Sequence, residues 1–496
     1  MTSSAAVPSA AHREPFEWRF LTPLLLGSTL NPINSSMIAT GLVGIGVDFH
    51  TGPGTTASLI SVLYLCSAVM QPTMGKLSTL FGPRRVFLAG IVILLAAGVV
   101  GAAAPAFGFL LLSRALIGIG TSAAYPTAMA LVRKRADSRG AGVPGRVLGN
   151  FSIASQITMV FGLPLGGILV GTFGWRALFL VNVPLALVTF VLTLVGVAKD
   201  DPGPRRDLKG LVSAVDLPGI ALFAGATTSL LVFLADLGKP QWWLAAVAAV
   251  LGAALVLWER TAGQPLIDVR MLAANRPLQR TYLRQLLVGL GIYTALYGTS
   301  QWMEQGAGLG PSTVGLILLP LSGLSIVIAR VVSIKGWVRT PLVVAGIALV
   351  LTAAVMLLIT HHSSVPVLIG MSLLFGFSNG FSGFANQAAL YVQAPAGDIA
   401  VASGLYRTFA YIGAIFSASL IGITFGPAAT DAGFHTLGWV IGGIGAAVLL
   451  LAAADRAIPK MANAETPSSP GPSGATNPPP GRTSRAAHGP SADPIP

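Results

Sequence analysis

The chain has 496 residues, of which 53% are hydrophobic and only 9% charged, with a net charge of +13 and a mean hydropathy of +0.75. That composition lies far outside the range of a water-soluble domain. It excludes a soluble enzyme, and it excludes a nucleic-acid-binding surface because the basic residues are scattered among short gaps between apolar runs, where anionic membrane lipid is the nearer partner. The one cysteine, Cys66, lies inside an apolar run, so no intramolecular disulfide is possible.

Residues 1–18 lack the basic, apolar, small order of a cleaved signal, and Phe16 and Trp18 suit the lipid headgroup level. A membrane span needs about 20 mainly apolar residues. Fourteen segments qualify: 21–47, 57–80, 86–105, 107–132, 147–171, 177–198, 214–235, 242–258, 281–303, 311–333, 341–360, 365–392, 401–425 and 435–454. Lys and Arg fall in alternate gaps: Lys76/Arg84/Arg85, Arg133/Lys134/Arg135/Arg139/Arg146, Lys199/Arg205/Arg206/Lys209, Arg260/Arg270/Arg276/Arg280/Arg284, Lys335/Arg339 and Arg456/Lys460. The other gaps hold little beyond Arg176 and Lys239. Basic loops stay in the cytoplasm, so the alternation predicts a multi-pass protein of the cell membrane with both termini cytoplasmic. The short segment 242–258 has to cross as well, or every later basic loop would land outside.

The predicted fold class is an all-α polytopic membrane protein of two six-helix bundles plus an inserted helix pair. Residues 1–19 form a cytoplasmic segment, 20–198 the first bundle, 199–260 a linker and the inserted pair, and 261–456 the second bundle. Residues 457–496 are rich in Pro, Ser and Gly and cannot build a core. Carriers built from repeated halves hold substrate between them, which favours alternating access by a monomer over a channel. No metal or cofactor is expected: His361-His362 has no Glu in metal spacing, and neither a nucleophile motif nor a nucleotide-binding segment stands out.

Several motifs then occur in a telling order. Gly75-Lys76-Leu77-Ser78-Thr79-Leu80-Phe81-Gly82-Pro83-Arg84-Arg85 follows the second span, and Arg114-Ala115-Leu116-Ile117-Gly118-Ile119-Gly120 lies in the fourth. The fifth holds Gly162, Pro164, Gly166, Gly167 and Gly171, and Gly174-Trp175-Arg176 leads to Asn182-Val183-Pro184 in the sixth. Asp216-Leu217-Pro218-Gly219, Pro265-Leu266-Ile267-Asp268 and Gly310-Pro311 come later. Together these resemble the major facilitator superfamily, and within it the fourteen-span drug:proton antiporter branch (EmrB/QacA-type). The resemblance implies a secondary active transporter, most simply a proton-coupled exporter of drug-like or antibiotic-like organic compounds. A uniporter or importer of a small organic metabolite is the alternative. It also marks Gly75, Thr79, Gly82, Arg84 and Arg85 as the cytoplasmic gate loop. Where the family loop carries Asp and Arg, this chain has Thr79 and Leu80, so a gate brace made by that Asp has to be weaker or relocated. The branch's usual first-span Asp is replaced at Leu30-Asn31-Pro32, whereas Glu304 stands where Gln is usual.

The candidate chemistry is sparse. A charge at membrane depth costs at least about 2.5 kcal/mol, so it turns towards water or partners. Arg114 fits either a cavity cation or a lock onto backbone carbonyls. Proton-coupling candidates besides Arg114 are Glu304, as a proton carrier or a solvated helix-end carboxylate, and Asp48 at a helix end. Polar residues that either line a pocket or join helices are Asn31, Asn34, Gln71, Tyr125, Gln156, Tyr297, Gln301, Asn386, Gln387 and Arg407. The pairs Gly162/Gly166 and Gly167/Gly171, with Pro164 between, are predicted to pack a kinked helix closely. The charge balance favours neutral or anionic substrates over simple cations.

Overall fold

Long apolar runs form the helices, and proline marks some of their starts and breaks while Pro23, Pro32, Pro72 and Pro320 sit inside unbroken helices. The computed structural model describes residues 16–51, 53–139, 142–201, 215–235, 237–309, 311–426, 429–458 and 460–461. Helix α1 (Trp18–Met37) passes through a 3-10 turn into α2 (Leu42–Asp48). Then follow α3 (Pro53–Phe81), α4 (Pro83–Ala102), α5 (Phe107–Ser122), α6 (Ala124–Asp137), α7 (Gly145–Phe173), α8 (Ala177–Leu180) and α9 (Asn182–Gly196). The middle of the chain gives α10 (Leu217–Ala235), α11 (Trp242–Glu259) and the short α12 (Val269–Ala274). The last six are α13 (Arg276–Gln305), α14 (Pro311–Lys335), α15 (Arg339–Met356), α16 (Val365–Gln393), α17 (Ile399–Phe425) and α18 (Asp431–Ala454). Among the described residues the only pairing of strand type is an isolated bridge between Trp337 and Met461.

The breaks have local causes. Pro126 has no N–H for the Ser122 carbonyl and Pro184 has none for that of Leu180, so α5 gives way to α6, and α8 to α9, where the expected fourth and sixth segments each ran unbroken. Gly82 takes φ +94°, a left-handed turn open to glycine, and Pro83 then starts α4 at its first helical position. Eleven helical stretches among the described residues are long and apolar enough to cross a membrane. The protein is therefore an integral, multi-pass, all-helical membrane protein. Helix α13 falls outside those eleven because its first three turns carry Arg276, Gln279, Arg280, Arg284 and Gln285.

Within the N-terminal set, α1 packs on α7 and α9, and α4 on α5 and α9. Within the C-terminal set, α14 packs on α16, α15 on α18 and α13 on α17. The pair α10–α11 leans on α3 and α17. Two main seams join the sets, α3 against α17 and α7 against α14, with smaller contacts of α6 on α17 and α7 on α16.

The basic loops meet at one end of the molecule. Lys134 Nζ reaches Asp201 at 2.7 Å, Lys76 Nζ donates to the Gln264 and Pro265 carbonyls, and Arg339 donates to the Ala453 carbonyl. Lys134 holds the Asp201 carboxyl below the usual range through that hydrogen bond and its charge. Arg284, expected in the linker ahead of the ninth span, instead lies fully buried two turns into α13. The cause is a buried counter-charge, Asp455, just past the end of α18.

Candidate substrate cavity and gate

The sequence places polar residues on six helices that converge between the two sets. They surround a cavity of about 180 Å³ whose walls include Asn31, Tyr64, Tyr293, Tyr297, Gln387 and Arg407. Serines 35, 36, 152 and 155, with Gln285, Asn379, Tyr406 and Tyr411, complete most of the lining. Five tyrosines and one arginine face it, and no carboxylate does among the described residues.

Asn31 sits at a junction. Its amide donates to Ser67 Oγ at 2.9 Å and Thr121 Oγ1 at 2.8 Å, and its oxygen accepts from the Tyr411 hydroxyl at 2.9 Å. Gln71 donates to that same hydroxyl at 3.2 Å. Pro32 follows Asn31 and leaves the Ser28 carbonyl without a helical donor, which suits a helix turned towards a cavity. Tyr411 thus ties α17 to α1 and α3 across the two sets. Arg407, one turn away on α17, lies with its guanidinium 4.1 Å from the Tyr125 ring centroid, and its Nε has no hydrogen-bond partner. Tyr293 and Tyr297 stack at 5.8 Å on α13, with Tyr297 48% exposed at the rim.

Below this cavity, towards the basic loops, the seams close. Thr408 Oγ1 donates to the Ala68 carbonyl at 2.6 Å. A Cβ placed on Gly404 would stand 2.6 Å from the Gln71 and Pro72 backbone, and one on Gly75 would stand 2.6 Å from the Ala400 carbonyl oxygen. Only glycine lets these backbones approach so closely. Across the other seam Arg330 donates to Asn150 at 3.2 Å, and the Tyr391 hydroxyl bonds the Met129 carbonyl at 3.3 Å between α16 and α6.

In the segment expected to be the gate loop, the side-chain contacts differ from that expectation. Thr79 donates only to the Lys76 carbonyl, within its own helix. The carboxylate at the start of α4 comes from Asp200, which accepts from the backbone N–H groups of Arg84 at 3.2 Å and Arg85 at 2.9 Å beside Gly82. A negative group there is favoured by the helix dipole.

The other sequence candidates fall in different places. Arg114 is buried, with Nε donating to the Leu59 carbonyl at 2.9 Å and one terminal nitrogen to that of Asn34 at 3.2 Å. It joins α5, α3 and α1. Asn34 pairs reciprocally with Asn182 at 2.6 and 3.0 Å and joins α1 to α9. Asp48 accepts from Trp175 Nε1 at 2.7 Å and contacts Arg176 at 3.4 Å, closing α2 on the turn before α8. Glu304 is exposed at the last turn of α13, outside the cavity wall, because Trp302 and Met303 take the buried side of that turn. Gln301 likewise stays off the wall, within 3.5 Å of Gln305. Gly162 and Gly166 meet Ser36 and Met37 of α1, within one set, whereas Gly167 and Gly171 face open space because one residue turns the helix by about 100°. The side chains of Gln156 and Pro164 lie outside the described residues.

Asn386 belongs to a chain of contacts that sequence spacing did not reveal. It lies behind the cavity wall, accepts from Arg284 Nε at 2.7 Å and donates to Gln285 at 2.7 Å, so the Asp455–Arg284 pair supports the wall residue Gln285 through Asn386. A second buried group is Asp216 with Glu259, at the basic-loop end of α10–α11. Asp216 accepts from Trp258, Gly219 and Leu266, and Glu259 from Ile267. Both carboxylates clamp the segment that receives Lys76. The Asp-Leu-Pro-Gly and Pro-Leu-Ile-Asp motifs were the signal for this clamp.

The profile of the Major Facilitator Superfamily matches residues 24–418. The chain belongs to that superfamily. It is 34% identical over 451 residues to the uncharacterized MFS-type transporter YwoD of Bacillus subtilis, covering 90% of this chain and 98% of that one. It is 28% identical over 457 residues to the lincomycin resistance protein of Streptomyces lincolnensis, covering 89% and 92%. The crystal structure of the human organic anion transporter MFSD10 (TETRAN) shares the fold, with a TM-score of 0.62, 16% identity and coverage of 88% and 99%. As a major facilitator the protein is a secondary transporter of small molecules and not an enzyme.

Proposed function

We propose that this protein exports drug-like or antibiotic-like organic compounds by alternating access, as a fourteen-span proton-coupled antiporter acting as a monomer in the cell membrane. One observation carries the reading: a polar, tyrosine-walled cavity lies between two helix sets whose glycine-tight seams close it on the side of the basic loops. With those loops cytoplasmic, the cavity faces outward, in a release state. Likeness to a lincomycin resistance protein supports export. In this reading α1 with α2, α7 and α13 join the eleven apolar stretches to make fourteen. Residues 20–198 and 261–456 then rock about the seams, 199–260 carry the inserted pair, and anionic lipid meets the basic loops. The segments 1–15 and 462–496 lie outside the described residues, so the N-terminal segment and the tail enter only as sequence expectations.

Cells with the protein should accumulate less of one or more compounds from a broad panel than cells without it, and an uncoupler should abolish the difference. Equal accumulation across the panel would move the reading to uptake or to a narrow specialist role. Glu304, two turns beyond Tyr297 at the open end, is the proposed proton carrier. Glu304→Gln should remove uncoupler-sensitive export while leaving substrate binding within about twofold, and unchanged export would place the proton elsewhere.

A further inference from the structure

Resting on the exporter reading, we infer that the central cavity takes a small aromatic organic anion, its carboxylate on Arg407 and its ring on the surrounding tyrosines. The charge inventory is the first argument. Arg407 is the one ionisable side chain other than tyrosine in the cavity wall, and no Asp or Glu pairs with it among the described residues. A guanidinium at membrane depth without a counter-ion costs at least about 2.5 kcal/mol. The Tyr125 ring, with its centroid 4.1 Å from the guanidinium carbon, offsets part of that and gives the group a fixed packing face. A planar fork fixed in this way matches a carboxylate, which would bring the missing negative charge.

Contrast with the two fully buried arginines is the second argument, since Arg407 is only partly buried. Arg114 spends two donors on backbone carbonyls, and Arg284 has Asn386, Thr281 and the Asp455 charge. Each keeps one terminal nitrogen without a partner, but the rest of its guanidinium is tied to other helices and neither lines the cavity. Arg407 alone combines an unpartnered donor with a place on the wall. The wall chemistry is the third. Tyr293 stacked on Tyr297, and Tyr64 with its ring 5.6 Å from that of Tyr411, offer flat apolar faces with hydroxyl edges. At about 180 Å³ the space is smaller than the roughly 300–1,000 Å³ of drug-sized pockets, which favours one or two rings.

The test compares salicylate with salicylamide, which share ring and hydroxyl and differ in the carboxylate. Calorimetric titration of the purified full chain at pH 7 should show salicylate binding at least tenfold more tightly. Arg407→Gln should erase that preference while keeping the weaker salicylamide binding, and Arg407→Lys should retain part of it. No preference in the wild type, no measurable salicylate binding, or a preference that survives Arg407→Gln would each overturn the inference. The wild-type comparison needs no variant, so a misfolded Arg407→Gln leaves the test intact. Energy-dependent exclusion of ethidium or an uncharged compound, without a salicylate preference, would spare the exporter reading and remove this one. Salicylate preference without exclusion of any compound would do the reverse.

Discussion

Gly404→Leu should lower transport at least tenfold at equal membrane level. The atoms nearest a Cβ at this position belong to the Gln71 and Pro72 backbone of α3, 2.6 Å away. A flexible side chain yields to a new neighbour, whereas a helix backbone has to move as a body, and overpacking of this kind costs about 1–3 kcal/mol. Displacing α17 also stretches the Thr408–Ala68 and Tyr411–Asn31 hydrogen bonds, which cross the same seam. The closed state at the basic-loop end is then disfavoured against any state in which the seam is open. About 1.4 kcal/mol already shifts such an equilibrium tenfold. Gly75→Leu, against Ala400, should act in the same direction, while Gly167→Leu, with nothing within 4 Å, should transport at close to the wild-type rate. Export measured in cells with matched membrane levels decides it, and normal transport by Gly404→Leu would show that the cycle does not need this seam to close tightly.

Asp455→Ala should produce the largest loss of stability. Its carboxylate is buried, bonds Arg280 at 2.8 Å and lies 3.9 Å from a terminal nitrogen of Arg284. The longer contact is an ion pair without a hydrogen bond, since neither atom has a hydrogen-bond partner. Removing the carboxylate leaves Arg284 charged and enclosed, and breaking a buried pair in this way costs about 3–5 kcal/mol. Arg280 is 44% exposed and loses little by comparison. Thermal unfolding of the detergent-solubilised chain should therefore fall clearly for Asp455→Ala. It should recover in part for Asp455→Ala with Arg284→Met, because the second change removes the stranded charge. The pair also holds Asn386 against Gln285, so the single variant should weaken substrate binding as well. An unfolding midpoint equal to wild type would mean that water reaches Arg284.

What was legible in the sequence is what lipid imposes on every residue alike. A segment in hydrocarbon has to be apolar and helical, and a basic loop resists crossing, so span positions, the common face of the loops and the burial of Arg114 follow from local composition. Asn31 and Arg407 were legible for the same reason, as polar groups inside apolar runs that need partners. Sequence periodicity is silent about the identity of the partner. Arg284 stands next to linker residues and reads as a loop cation until Asp455, from the far end of the chain, is folded against it. Thr79 signals only that a carboxylate is missing, and Asp200 fills in after the chain has returned to the same end. Glycine spacing marked Gly162 and Gly167 alike, yet the helix turn directs one to α1 and the other to open space.

Composition and charge order by themselves determined a multi-pass helical membrane protein, because each residue's transfer into lipid depends on little beyond that residue. Only the tertiary structure decided which polar groups pair, which face the cavity and which seam shuts it. Those outcomes depend on contacts within about 4 Å between segments far apart in the chain, whose register no local pattern encodes.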